Sequence, residues 1–192
     1  MNIKILETGA WDYNNDSHDE VGNFDQKLAD YLTSFIKTHN IKNVFDFGCS
    51  TGYYLKYISE RTSDIKLTGV EPNVNKREDN HFENILNYDL AKSFDIGNKG
   101  SIICLEVLEH IPSQFESVVI ENIKKHCDGY LFMSWATPGQ GGYGHYNERS
   151  FDYVYDLFTE NGFEFMEEET KICRDSAYIG WLKNNCCIFK KI

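Results

Sequence analysis

The sequence predicts an α/β domain built on an open, doubly wound, mainly parallel sheet. Three observations lead there. Short apolar runs of strand length recur at residues 42–47, 65–70, 101–106 and 130–135. Stretches with apolar residues at helical spacing lie between them, as in Phe24, Leu28, Tyr31, Leu32, Phe35 and Ile36. The first run also passes through Gly48 and Gly52 directly into a helical pattern, the strand–turn–helix unit of alternating α/β folds.

Taken in order, residues 1–22 are polar and irregular, and the stretch around Trp11 reads as a loop or lid over the core. Residues 23–192 read as one domain. A helix over 24–39 stops at Asn40. The strand at 42–47 leads into a helix over 51–61. The strand at 65–70 ends in Glu71-Pro72-Asn73, and a short strand at 84–88 ends in Asp89. The strand at 101–106 is nearly all apolar before Glu106, and a turn at His110-Ile111-Pro112 precedes a helix over 115–126. A strand at 130–135 opens into a glycine-rich loop, 137–145. A helix over 148–161 follows, with Asn147 as its cap and Gly162 as its stop. Its stripe of Phe151, Val154, Tyr155 and Phe158 is expected in the core. Strands at 163–165 and 185–190 complete the chain.

A chain of 192 residues, 41% apolar and 15% aromatic, can bury a substantial core. The net charge of -11 argues against a general nucleic-acid binder, which neutralises phosphates with cations. No apolar run approaches the ~20 residues of a membrane span, and the N-terminus has no signal-peptide pattern. The six cysteines lack paired metal spacing, so a reduced, cytoplasmic protein without disulfides is expected.

In an open α/β sheet, ligands sit beyond the carboxyl ends of the strands. The first strand brings Asp46 and the Gly48–Gly52 turn there. The second brings Glu71, about 20 residues on, the spacing at which an acid accepts hydrogen bonds from ribose hydroxyls. The third brings Asp89, the fourth Glu106, Glu109 and His110, and the loop after the fifth brings His145. The turn has Ser50 where a dinucleotide fingerprint prefers glycine. It also lacks the lysine of a phosphate-binding loop.

Val44-Phe45-Asp46-Phe47-Gly48-Cys49-Ser50-Thr51-Gly52 resembles the first motif of class I S-adenosylmethionine-dependent methyltransferases. Gly69-Val70-Glu71-Pro72-Asn73, Asn87-Tyr88-Asp89-Leu90 and Leu105-Glu106-Val107-Leu108-Glu109-His110-Ile111 resemble the second, third and fourth, in the family's order. The resemblance implies a Rossmann-like, seven-stranded sheet whose last strand, at 185–190, is antiparallel. It implies that Asp46, Gly48, Cys49, Ser50 and Gly52 hold the methionine part of S-adenosylmethionine. It further implies that Glu71 and Pro72 meet the ribose, that Tyr88 and Asp89 flank the adenine, and that Glu106 lines the cofactor pocket.

Glu106, Glu109 and His110 stand at i, i+3 and i+4, so one helical turn can aim them together, with His145 arriving from the next loop. Two carboxylates and two imidazoles suit a divalent ion such as Mg²⁺ or Mn²⁺. Glu-x-x-Glu-His with a later histidine resembles metal-dependent O-methyltransferases of RNA 3′ ends and of the ubiquinone pathway. Many methyltransferases carry a similar turn without a metal, and there His145 or His110 would be the general base. Trp135, Tyr143 and Tyr146 are candidates to stack on an acceptor, and Arg149 and Arg174 to hold an acceptor phosphate. The loop resembles those of methyltransferases in glycan-modification and viral gene sets, which implies a sugar acceptor.

The expectation is therefore an O-methyltransferase using S-adenosylmethionine on a small hydroxylated acceptor, a sugar or nucleotide-sugar, with His145, His110 and Glu106 catalytic. An RNA 3′-terminal 2′-O-methyltransferase and a non-catalytic cofactor-binding module are the alternatives. No membrane or general nucleic-acid partner is expected, and a homodimer is the assembly to test.

Overall fold

The structure, a computed structural model, describes residues 4–12, 24–74 and 80–192. A two-residue hairpin, Lys4–Ile5 (β1) with Trp11–Asp12 (β2), precedes the helix Gln26–Thr38 (α1). Then come Asn43–Phe47 (β3), Tyr53–Ser59 (α2), Lys66–Val70 (β4), Ile85–Leu86 (β5) and Gly100–Leu105 (β6). Glu116–His126 (α3), Cys127–Ser134 (β7), Phe151–Glu160 (α4) and Phe163–Phe165 (β8) follow. Glu167–Ser176 (α5), Gly180–Asn185 (α6) and Cys187–Lys191 (β9) end the chain.

The large sheet runs β5-β4-β3-β6-β7-β9-β8. Its first five strands pair in parallel, and β9 is antiparallel to both β7 and β8. The seven-stranded, mainly parallel sheet with an antiparallel last strand is therefore present. β3 has β4 on one side and β6 on the other, so the chain order reverses beside it. A crevice opens at such a point, beyond the strand ends.

Alternation along β3 builds the two core layers. Phe45 and Phe47 belong to one core cluster, where they meet Phe94 and His126, and Val44 belongs to the other, with Leu32, Ile36 and Leu55. The end of β3 is held in register with β4, Asp46 opposite Gly69 and Phe47 opposite Val70. α1 is pinned by its cap. Asp25 is fully buried and accepts from the amides of Leu28 at 3.0 Å and of Tyr178 and Ile179 at 2.8 Å each. No helix among the described residues is long and apolar enough to cross a membrane.

Several local expectations need correction. α4 starts at Phe151, and its cap is Ser150, which accepts from Tyr153 N at 3.3 Å. Asn147 is held elsewhere, its amide donating to Glu116 at 2.9 Å. Only half of the α4 stripe is core: Val154 and Phe158 are buried, whereas Phe151 and Tyr155 are 38% and 40% exposed and lean on Phe165. β7 starts at Cys127 because Asp128-Gly129, a turn-like pair, continues the strand. Gly129 is needed there, since a Cβ on it would lie 2.6 Å from Ser101 Oγ. α5 and α6 had no sequence signal, because α5 buries little more than Thr170 and Cys173 and α6 is a short helix. Of the expected lid, residues 4–12 form the hairpin; the rest of that stretch lies outside the described residues.

Candidate active site

A cleft of about 550 Å³ opens over the carboxyl ends of β3, β4 and β6. Gly9–Trp11 of the hairpin form one wall, and Tyr143 and His145 of the glycine-rich loop another. Trp181 and Leu182 of α6 close a third side.

The β3–α2 turn forms its floor. Gly48, Ser50 and Gly52 all have positive φ, at 77°, 49° and 84°. The turn is stitched by Gly48 N to Val70 O at 2.8 Å and Gly52 N to Cys49 O at 2.8 Å. A Cβ on Gly48 would lie 2.5 Å from Val107 Cγ2, and one on Gly52 2.6 Å from Phe82 Cβ. Both glycines are thus required by the protein's own packing as well as by φ. Ser50 donates its backbone N–H to Glu71 Oε2 at 3.0 Å, which ties the turn to the end of β4. Asp46 is buried at the cleft floor, and burial pushes its carboxyl up to about 7.

This shift has a definite sign. Unfolded, Asp46 loses its proton near pH 3.8; folded, near 7. The folded state therefore holds the extra proton between those values, and stability from this group falls as pH rises through that window. His110 works in the opposite direction below pH 6.5, so the comparison must be with a variant. Asp46→Asn is expected to be more stable than the parent at pH 8, by at most about 4 kcal/mol, with the gap shrinking at pH 5. Urea unfolding at both pH values measures it; an equal gap at both contradicts the assignment.

On the acceptor side, Glu106 stands at φ 53° just after β6. Its amide donates to Ser134 Oγ at 2.9 Å. Glu106 Oε2 accepts from Gln140 Nε2 at 2.7 Å, and Gln140 Oε1 accepts from Asn185 Nδ2 at 2.7 Å. Glu109 follows in the 3-10 turn Leu108–His110 and is fully buried, with the carboxyl of Glu106 and the amides of Glu109 and Ala136 around its own. Burial, reinforced by the charge of Glu106, holds its carboxyl well above the usual range. The Glu109 carbonyl accepts from the amides of Tyr146 at 2.8 Å and Asn147 at 3.0 Å, which seats the loop on the turn. Burial, then the nearby His145, pushes His110 down to about 4. The rings of His110 and His145 meet edge to face with centroids 4.9 Å apart.

Glu109, His110 and His145 each bring a ligand atom within 4.8 Å of the others, the only such group among the described residues. Glu106 is not part of this group; its bond to Gln140 draws it towards α6. Other expected site residues divide similarly. Asp46, Gly48, Cys49, Ser50, Glu71, Pro72, Asp89 and Glu106 line the cleft. Gly52 is buried beneath Phe82. Tyr88 is exposed, stacks on Phe94 and faces a neighbouring hollow rather than the cleft. Trp135 is buried and donates to Asn147 O, so it is not a stacking surface; Tyr143 and Tyr146 are exposed. Arg149 bonds Glu116 and Arg174 bonds Cys186 O, and neither lines the cleft. Sequence reasoning missed Trp181, Leu182 and Gln140, whose signals lie in no motif or period.

These features define the class I methyltransferase fold with an acidic cleft at its strand ends. Residues 20–175 match the family described as Methyltransferase domain, and the chain belongs to that family of S-adenosylmethionine-dependent enzymes. Among solved structures, it is similar to S-adenosylmethionine-bound CalS10, an amino pentose methyltransferase from Micromonospora echinaspora. The TM-score is 0.65 at 15% identity, covering 85% of this chain and 90% of that one. The methyltransferase domain of bacterial CtHen1-C gives a TM-score of 0.62 at 15% identity, over 86% and 97% of the two chains. The N-methyltransferase NodS from Bradyrhizobium japonicum gives 0.61 at 16%, over 86% of each. At these identities the likeness concerns the fold. No curated protein matches the sequence.

Proposed function

We propose that the protein methylates a hydroxyl of a small, sugar-like acceptor, with Glu109, His110 and His145 holding a divalent ion such as Mg²⁺ or Mn²⁺. The observation that carries this reading is Glu109. A fully buried carboxyl beside a second carboxyl is costly, and two imidazoles next to it make the cost intelligible as a ligand set. S-adenosylmethionine supplies an activated methyl group, and the ion would lower the pKa of the acceptor hydroxyl.

The residues of the chain do the rest. Asp46, Glu71, Asp89, Glu106 and Glu109 line the cleft, and no lysine or arginine among the described residues does. Such a lining suits a cofactor that is cationic at sulfonium and ammonium. Glu71, fixed by Ser50 N, is placed to accept from ribose hydroxyls. His110, pushed down to about 4, is a weak base suited to ligation. His145 takes the proton-accepting role. Trp11 and Tyr143, in edge contact, offer apolar faces to a sugar ring and shield the site from water.

The same lining favours an unphosphorylated acceptor over a nucleotide-sugar or an RNA 3′ end, whose phosphates would meet carboxylates. The test is methyl transfer with Mn²⁺ to three panels: unphosphorylated glycosides, nucleotide-sugars and end-labelled RNA, read by mass. Transfer to the glycosides that chelator abolishes is expected. Transfer to RNA alone, or transfer that survives both chelator and His145→Ala, refutes the respective part. Titration calorimetry that detects no S-adenosylmethionine binding refutes the whole and leaves no catalytic reading.

A further inference from the structure

The glycine-rich loop contains a carboxylate with three donors. Glu148 Oε2 accepts from Gly139 N at 2.7 Å, and Oε1 accepts from Gly141 N at 2.7 Å and stands 3.2 Å from His145 Nδ1. A carboxylate only accepts, so His145 Nδ1 carries the proton and Nε2 keeps its lone pair. His110 is fixed in the same way, its Nδ1 lying 3.2 Å from the carbonyl of Gly144, which also only accepts. The His145 ring lies over Gly142, where a Cβ would fall 2.3 Å from Nε2. Four glycines of one loop thus have distinct structural uses: two hold Glu148, one makes room for His145, and one orients His110.

We infer that Glu148 is a positioning residue that locks His145 in the Nδ1–H tautomer and so presents Nε2 to Glu109 and His110. The loop is then a preset frame for two imidazoles. The carboxylate–histidine arrangement holds the ring in one orientation and spares it a reorientation on binding. It serves metal ligation and proton acceptance alike, because both use the Nε2 lone pair. Glu148 touches no reacting atom in this scheme and acts through His145.

The inference rests on the metal-assisted reading for one arm of its test and is independent of it in the other. In the independent arm, nitrogen NMR of ¹⁵N-histidine-labelled, metal-free protein reports the tautomer, with His145→Asn identifying the resonance. The parent should show Nδ1–H at His145. Glu148→Ala should shift it to the Nε2–H form favoured by a free imidazole, and Glu148→Gln, which keeps one acceptor oxygen, should fall between. In the metal arm, Mn²⁺ titration should show affinity lowered about 10- to 100-fold in Glu148→Ala and less in Glu148→Gln.

An unchanged Nδ1–H signature in folded Glu148→Ala overturns the inference. So does a common loss of thermal stability in both variants with no change of tautomer, which marks a purely structural carboxylate. If the parent binds no Mn²⁺ yet Glu148→Ala switches tautomer, the positioning role stands and the metal reading falls. If Glu148→Ala does not fold, the tautomer ratio of Glu148→Gln decides: a parental ratio overturns the inference.

Discussion

Glu109→Gln is expected to lower methyl transfer by about 1,000-fold, or about 4 kcal/mol, while folding stability at neutral pH is at least that of the parent and gains on it as pH rises. The two halves of that result come from one fact. Glu109 is fully buried beside the carboxyl of Glu106, so its negative charge is a cost in the folded chain. Burial already holds its carboxyl well above the ordinary range, and a neutral isostere fits the same space. An ion, by contrast, needs the carboxylate, and without it His110 and His145 are a two-ligand site. Electron paramagnetic resonance with Mn²⁺ should show loss of the bound signal in the variant. Parental activity and parental Mn²⁺ binding in Glu109→Gln together would refute the metal site.

Gly48→Arg should abolish S-adenosylmethionine binding, a loss on the order of 100-fold or more in titration calorimetry. Two costs combine. The backbone at φ 77° penalises any L side chain by about 1–2 kcal/mol. A Cβ would also stand 2.5 Å from Val107 Cγ2, and overpacking of that kind costs about 1–3 kcal/mol. Val107 directly follows Glu106, so relief of the clash moves the acceptor side as well as the floor. A thermal melt must accompany the titration. Parental binding by Gly48→Arg would show that the β3 turn does not form the cofactor floor.

Much of the cleft lining was legible because it sits at strand ends, where sequence order and spatial order agree. Asp46, Glu71, Asp89 and Glu106 stand at or just beyond the ends of successive strands, and all four line the cleft. What spacing cannot carry is the direction of a side chain after a turn. Glu106 and Glu109 are three residues apart and their carboxyls stay neighbours, yet only Glu109 joins the imidazoles while Glu106 Oε2 is taken by Gln140. Tyr88 follows the same logic: it stands one residue from a cleft residue and stacks on Phe94 instead. The walls were illegible for another reason. Trp181 and Leu182 reach the cleft through α6, a short helix whose placement depends on Asp25 capturing the amides of Tyr178 and Ile179 across more than 150 residues. No local pattern encodes such a bond.

The amide pair behind Glu106 has a consequence of its own. Asn185 takes the oxygen of Gln140, so Gln140 can offer Glu106 only its N–H. The polarity of that contact is set from α6, at the far end of the chain, and it runs one way. The helix beside the last strand thus decides which end of the Gln140 amide the cleft carboxyl meets.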